Sequence, residues 1–105
     1  MKDREYIIIL YDYYGDLLTE TQKAYFEEYY FDNLSLGEIS ENENKSRNAI
    51  HKNLKTVVNK LYDYEKKLKL YNKHQKLEKI LLEIKDEKIK NKIEELLWKI
   101  NYQYI

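Results

Sequence analysis

Apolar side chains recur along this chain in steps of three and four, the spacing of helices with one buried face. In the first such segment, Glu5 to Leu18, Ile7, Leu10, Tyr14 and Leu18 share a helical face. The run Tyr6-Ile7-Ile8-Ile9-Leu10-Tyr11 lacks polar alternation and would also suit a buried strand. Its length favours a helix, and no partner strand follows. Thr19-Glu20-Thr21-Gln22 is a capping box, in which the Thr19 hydroxyl accepts from the Gln22 amide while the Gln22 side chain reaches back. It opens a helix burying Tyr25, Phe26, Tyr29 and Tyr30, which stops at the turn pair Asp32-Asn33. Ser35-Leu36-Gly37-Glu38 is a second capping box, opening a short helix with Leu36, Ile39 and Ser40 inward. Asn42-Glu43-Asn44 reads as a tight turn, with Asn44 the residue suited to a left-handed conformation. Ser46 is a good N-cap for the helix after it.

That helix is long. Ile50, Leu54, Val57, Leu61, Tyr64, Leu68 and Tyr71 alternate steps of four and three, a heptad seam. Its first half can seal a small core and its second half can reach a partner. Leu77, Ile80, Leu81 and Ile84 continue a helical stripe, and Asp86 can cap a last helix carrying Ile89, Ile93, Leu96, Leu97 and Ile100. Beyond Asn101 the tail either frays or docks through Trp98, Tyr102 and Tyr104. The expected organisation is a helical domain over residues 1–72 and a helical extension over 73–105. Tyr64, Leu68, Tyr71, Leu77, Ile80 and Ile84 are the expected homodimer interface. In the alternative, the C-terminal helices fold back and bury that seam within one chain.

Composition supports helices and removes several chemistries. The 105 residues contain no proline and only two glycines, Gly15 and Gly37, the residues that break helices. The absence of cysteine excludes disulfides, cysteine zinc sites and thiol nucleophiles. Two histidines, His51 and His74, make a histidine metal site unexpected. No cofactor is implied. The longest apolar run is six residues, against roughly 20 for a membrane span, and it resembles no signal peptide. A cytoplasmic protein is expected. Seventeen lysines against two arginines, with many Asn, Ile and Tyr, suggest an AT-rich genome, so the 12 tyrosines need no functional explanation.

The net charge of zero hides a segregation. Residues 1–44 hold 3 basic and 11 acidic side chains, net −8; residues 45–76 hold 10 basic and 2 acidic, net +8. Either the basic part binds a polyanion locally, or it packs on the acidic part as internal compensation.

Residues 35–55 carry the candidate function. A short helix, a tight turn and a second helix form a helix-turn-helix. Small Ser40 allows the helices to cross closely, Asn44 supplies the positive φ, Ser46 caps the second helix, and Ile50 plugs the crossing. With Ile50 and Leu54 buried, Arg47, Asn48, His51, Lys52 and Lys55 face outward beside Lys45 and Ser46. In DNA-binding motifs of this kind the first residues of the second helix meet base edges. Arg47 suits guanine, Asn48 suits adenine, and Lys52 and Lys55 suit phosphates. Lys45 stands where an apolar residue normally closes the turn. Either its stem lies over the core or the turn is looser. The alternative for the whole face is a solvated basic surface. Asp12 and Asp16 lie one turn apart but have no nucleophile or base beside them, and no phosphate loop or triad is present. An enzyme is not expected.

Leu17-Leu18-Thr19-Glu20-Thr21-Gln22-Lys23, then Tyr29-Tyr30-Phe31-Asp32-Asn33-Leu34-Ser35-Leu36-Gly37-Glu38-Ile39-Ser40, then Ser46-Arg47-Asn48-Ala49-Ile50, resembles the YlxM family, small bacterial proteins encoded beside signal recognition particle genes. The resemblance covers roughly residues 5–75 and supports a helix over Tyr6–Tyr14. It implies an all-α helix-turn-helix bundle similar to the fourth domain of sigma factors. It further implies a DNA-binding regulatory protein acting in the signal recognition particle pathway. Glu43 and Lys45 depart from the apolar or aromatic residues relatives carry there. Two readings stay open: a regulator binding duplex DNA, or an accessory of the signal recognition particle GTPases that binds protein instead. The scarcity of arginine weakens the first.

Overall fold

The computed structural model describes residues 3–102, with side chains to residue 97. The expected docking of Trp98, Tyr102 and Tyr104 lies outside the described side chains. Asp3 accepts the Tyr6 N–H at 3.3 Å and opens α1, Arg4–Tyr14. A short 3-10 turn, Gly15–Leu17, replaces the last helical turn expected of this segment, and Leu18 is extended yet buried. The Thr19–Gln22 box forms as the sequence implies and starts α2, Glu20–Tyr30; the Ser35–Glu38 box starts α3, Leu36–Glu43. Asn33 and Asn44 take positive φ at the ends of α2 and α3. Ser46 caps α4, Arg47–Leu68, and α5, Leu70–Leu81, and α6, Glu87–Tyr102, follow. Asp86 caps α6 by accepting the Lys88 and Ile89 N–H groups at 2.9 and 3.2 Å. The protein is all-α, and its elongated body measures 56 × 24 × 20 Å.

α4 is the wall on which the rest is built. Its C-terminal half buries Val57 and Leu61 against Ile7, Leu10 and Tyr14 of α1, Leu18, and Phe26 of α2. Its N-terminal half buries Ile50 and Leu54 against Tyr25 of α2 and Ile39 of α3. The tyrosines fill the margins. Tyr11 stacks on Phe26 at 4.2 Å, and Tyr6 meets Tyr62 and Tyr71 at 5.6 and 5.7 Å. Arg4 joins the start of α1 to the end of α2. It donates to the Tyr30 carbonyl at 2.7 Å and to Asn33 Oδ1 at 2.9 Å, and lies over the Tyr30 ring.

The heptad pattern implies one helix through Tyr71. Instead the chain breaks at Lys69, which takes φ 56° with neither glycine nor proline present. The reason is a buried carboxylate. Glu65 occupies an inward position of α4, and Tyr14 donates its hydroxyl to Glu65 Oε1 at 2.5 Å. The remaining acceptor capacity of Glu65 takes the Tyr71 and Asn72 N–H groups at 3.1 Å each. The Tyr14 oxygen accepts from Leu70 N–H at 3.0 Å. The first turn of α5, which has no cap of its own, is thus capped by side chains from α1 and α4. Burial first, then the bond to Glu65, pushes the Tyr14 hydroxyl well above the ordinary tyrosine range.

α5 and α6 pack back on α1. His74 is buried, with Nδ1 2.5 Å from the Tyr13 hydroxyl and Nε2 3.1 Å from Glu78. Burial, then the Glu78 charge, pushes the Tyr13 hydroxyl up to about 12. Of the seam residues, Tyr64 and Tyr71 pack half-buried on the chain's own core. Leu68, Leu77 and Ile80 remain 45, 41 and 52% exposed, and Ile84 is half-buried.

Tyr14→Phe should keep the ring packing but strip a donor from buried Glu65 and an acceptor from Leu70 N–H. It should cost about 1–3 kcal/mol in chemical denaturation. An unchanged midpoint would mean that water replaces the hydroxyl.

Candidate nucleic-acid interface

The helix-turn-helix is closed by backbone and caps. Asn44 sits at φ 55°, ψ 46°, which lets the Lys45 N–H return to the Ser40 carbonyl at 3.0 Å. The Ser40 hydroxyl donates to the Gly37 carbonyl at 2.8 Å, and the Ser46 hydroxyl accepts from Ala49 N–H at 3.1 Å. Ile39 and Ile50 are fully buried at the crossing, with Leu34, Leu36 and Tyr29 around them. Lys45 does not loosen the turn: it is exposed, and its backbone N–H makes the closure.

The structure brings Lys45, Ser46, Arg47, Asn48, His51, Lys52 and Lys55 together as exposed residues at the start of α4. Helical spacing places Asn48, Lys52 and Lys55 on the side opposite Ile50 and Leu54. The Ser46 hydroxyl is already used as the cap. Arg47 takes a course that sequence alone does not reveal. Its side chain bends back so that the guanidinium lies across Gly37 of α3.

The charge segregation is not neutralised by pairing. Among the described residues no ion pair joins the acidic residues of 1–44 to the basic residues of 45–76. Lys23 pairs with Asp16 and Glu20, and within α4 Lys67 pairs with Asp63 at 3.0 Å. The other acid of α4, Glu65, is buried. From Arg47 to Tyr62 α4 carries no acidic residue, whereas α3 exposes Glu38 and Glu41 beside it.

Beneath α3 lies a feature that spacing did not expose. Glu28 of α2 stands against Asn42 and Glu43. Asn42 donates to Glu28 Oε1 at 3.4 Å, while Glu28 Oε2 is buried and meets no donor. Burial, and then the neighbouring Glu43 carboxyl, raises the Glu28 carboxyl above the ordinary range. The paired residues lie far apart in sequence, so only the packing of α2 on α3 reveals them.

This geometry defines a helix-turn-helix protein. Residues 1–100 match the family described as "Putative helix-turn-helix protein, YlxM / p13 like", and the chain belongs to that family. The match reaches into α6, further than the resemblance over residues 5–75. A UPF0122 protein of Fusobacterium nucleatum is 42% identical over 88 residues, covering 84% of this chain and 85% of the relative. A UPF0122 protein of Listeria welshimeri is 41% identical over 97 residues, covering 84% and 88%. One from Desulforamulus reducens is 46% identical over 84 residues, covering 80% and 72%. Among the described residues, no helix is long and apolar enough to cross a membrane.

Glu28→Gln should stabilise the fold at neutral pH by about 1 kcal/mol, since it removes a buried acceptor without a donor. A carboxyl raised in the folded state binds its proton more tightly there than in the unfolded chain. Its penalty is therefore full above the raised pKa and fades as pH falls toward the ordinary value of 4.5. The gain measured by thermal melts should shrink over that interval. A gain constant with pH would rule out the raised Glu28 carboxyl.

Proposed function

We propose that this chain is a non-catalytic regulator that binds duplex DNA through the start of α4, in a cytoplasmic setting. The observation that carries this reading is the exposed, unpaired basic face on a closed helix-turn-helix. In this reading Asn48, His51 and Arg47 approach base edges, and Lys45, Lys52 and Lys55 approach phosphates. The family resemblance adds the signal recognition particle pathway as its setting.

A second reading is favoured by exposed Glu38 and Glu41 beside the basic face, which repel phosphate. In that case the chain is an accessory of the signal recognition particle GTPases, held by protein contacts. Salt dependence separates the two. Lys45, Arg47, Lys52, Lys55 and Lys60 suffice for about four phosphates per subunit, so log affinity should fall against log salt with a slope of roughly −3 to −4. Lys52→Ala should weaken all sequences alike and flatten that slope by about one. Arg47→Ala should cost about 1–3 kcal/mol on a preferred site and relax the preference. Duplex binding that stays negligible at about 50 mM salt would favour the protein accessory.

A homodimer through the C-terminal helices completes the proposal. Leu68, Leu77 and Ile80 are exposed, and so are Leu82, Ile89 and Leu96 of the same C-terminal region. Light scattering should give twice the chain mass at tens of micromolar, and Leu77→Lys with Ile80→Lys should return the monomer. A monomeric wild-type chain would remove the dimer.

A further inference from the structure

The chain has only two arginines, and the structure uses them in opposite ways. Arg4 spends its donors inside the molecule, on the Tyr30 carbonyl and Asn33. The Arg47 side chain makes no hydrogen bond or ion pair among the described residues, yet its guanidinium lies against α3. A Cβ built on Gly37 would lie 2.8 Å from an Arg47 Nη, 3.1 Å from Nε and 3.2 Å from Cζ. All three nearest atoms belong to the guanidinium, so the group lies across the glycine where a side chain would begin.

The backbone does not ask for glycine there. Gly37 lies in the first turn of α3, and no glycine of the chain has a positive φ. In a helix glycine is less favourable than alanine because it loses more backbone freedom on folding. Space for the guanidinium is the local reason the structure offers. Nor is Arg47 paired with the adjacent carboxylate: Glu38 turns to the Ser35 N–H in the capping box, and no ion pair joins it to Arg47 among the described residues. The result is an arginine placed on α3 with its donors open to a ligand.

We propose that Gly37 is a positioning residue for Arg47: its missing side chain is the seat that holds the guanidinium ready for nucleic acid. An arginine free to sample its rotamers loses that freedom on binding, and holding it beforehand reduces the loss. The proposal rests on the DNA-binding reading for its function. The seat itself is a property of the free protein.

The test is a double-mutant cycle of Gly37→Ala and Arg47→Ala with two readouts. The first is affinity for a duplex selected from a random pool by the wild-type protein, against an unselected duplex at the same salt. Gly37→Ala should lower affinity for the selected duplex by roughly five- to a hundredfold, as Arg47→Ala does, and the double variant should lose no more than Arg47→Ala alone. Independent, multiplying losses, or a Gly37→Ala variant that binds as the wild type does, would overturn the proposal. The second readout is thermal stability without nucleic acid. Alanine at 37 should stabilise α3 more in the Arg47→Ala background than in the presence of Arg47, because only there is the space empty. Equal gains in both backgrounds would overturn the seat. If the wild-type protein ignores duplex, the DNA-binding reading fails, and this second cycle still decides the seat.

Discussion

One buried side of α4 sets everything else. Ile50 and Leu54 fasten α2 and α3, Val57 and Leu61 fasten α1, and Glu65 organises the start of α5. A helix whose inner face is committed along its length cannot rotate, so its outer face is equally fixed. That fixed register places Asn48, Lys52 and Lys55 in solvent and holds them there. The core and the candidate interface are two sides of one constraint, which explains why so small a chain devotes 22 residues to α4.

Local rules made much of this legible. The two capping boxes, the left-handed Asn44, the Ser46 cap and the inward Ile50 and Leu54 each depend on residues within a few positions of one another. The break at Lys69 was not legible, because its cause lies in Tyr14, more than fifty positions away, and in a carboxylate that a periodicity count reads as merely polar. Glu65 was still a signal: it stands four residues after Leu61, on the face that ought to be apolar. The candidate interface divides in the same way. Which residues face outward followed from helical spacing. The course of Arg47 depends on where α3 places Gly37, and the burial of Glu28 depends on how α2 meets Glu43.

The segregated charges support a polyanion more than internal neutralisation. Opposite charges in one chain would be expected to meet if they served mutual compensation. Here Lys23 serves nearby acids, Lys67 serves Asp63 one turn away, and Arg4 is used on carbonyls and an amide. The acidic residues have local uses as well: Asp3 and Glu38 cap helices, and Glu27 accepts from Tyr11. The lysines at the start of α4 have no such use.

The capping of α5 by Tyr14 and Glu65 also bears on the order of assembly. A helix normally nucleates on its own first turn, at a cost that short helices barely recover. The first amides of α5 find their acceptors only on α1 and α4, so this turn gains its bonds only after those helices have met. The C-terminal arm is therefore a late element, added to a finished core rather than a seed for one. Amide exchange is expected to show weaker protection in α5 and α6 than in the helix-turn-helix, two layers within a single small chain.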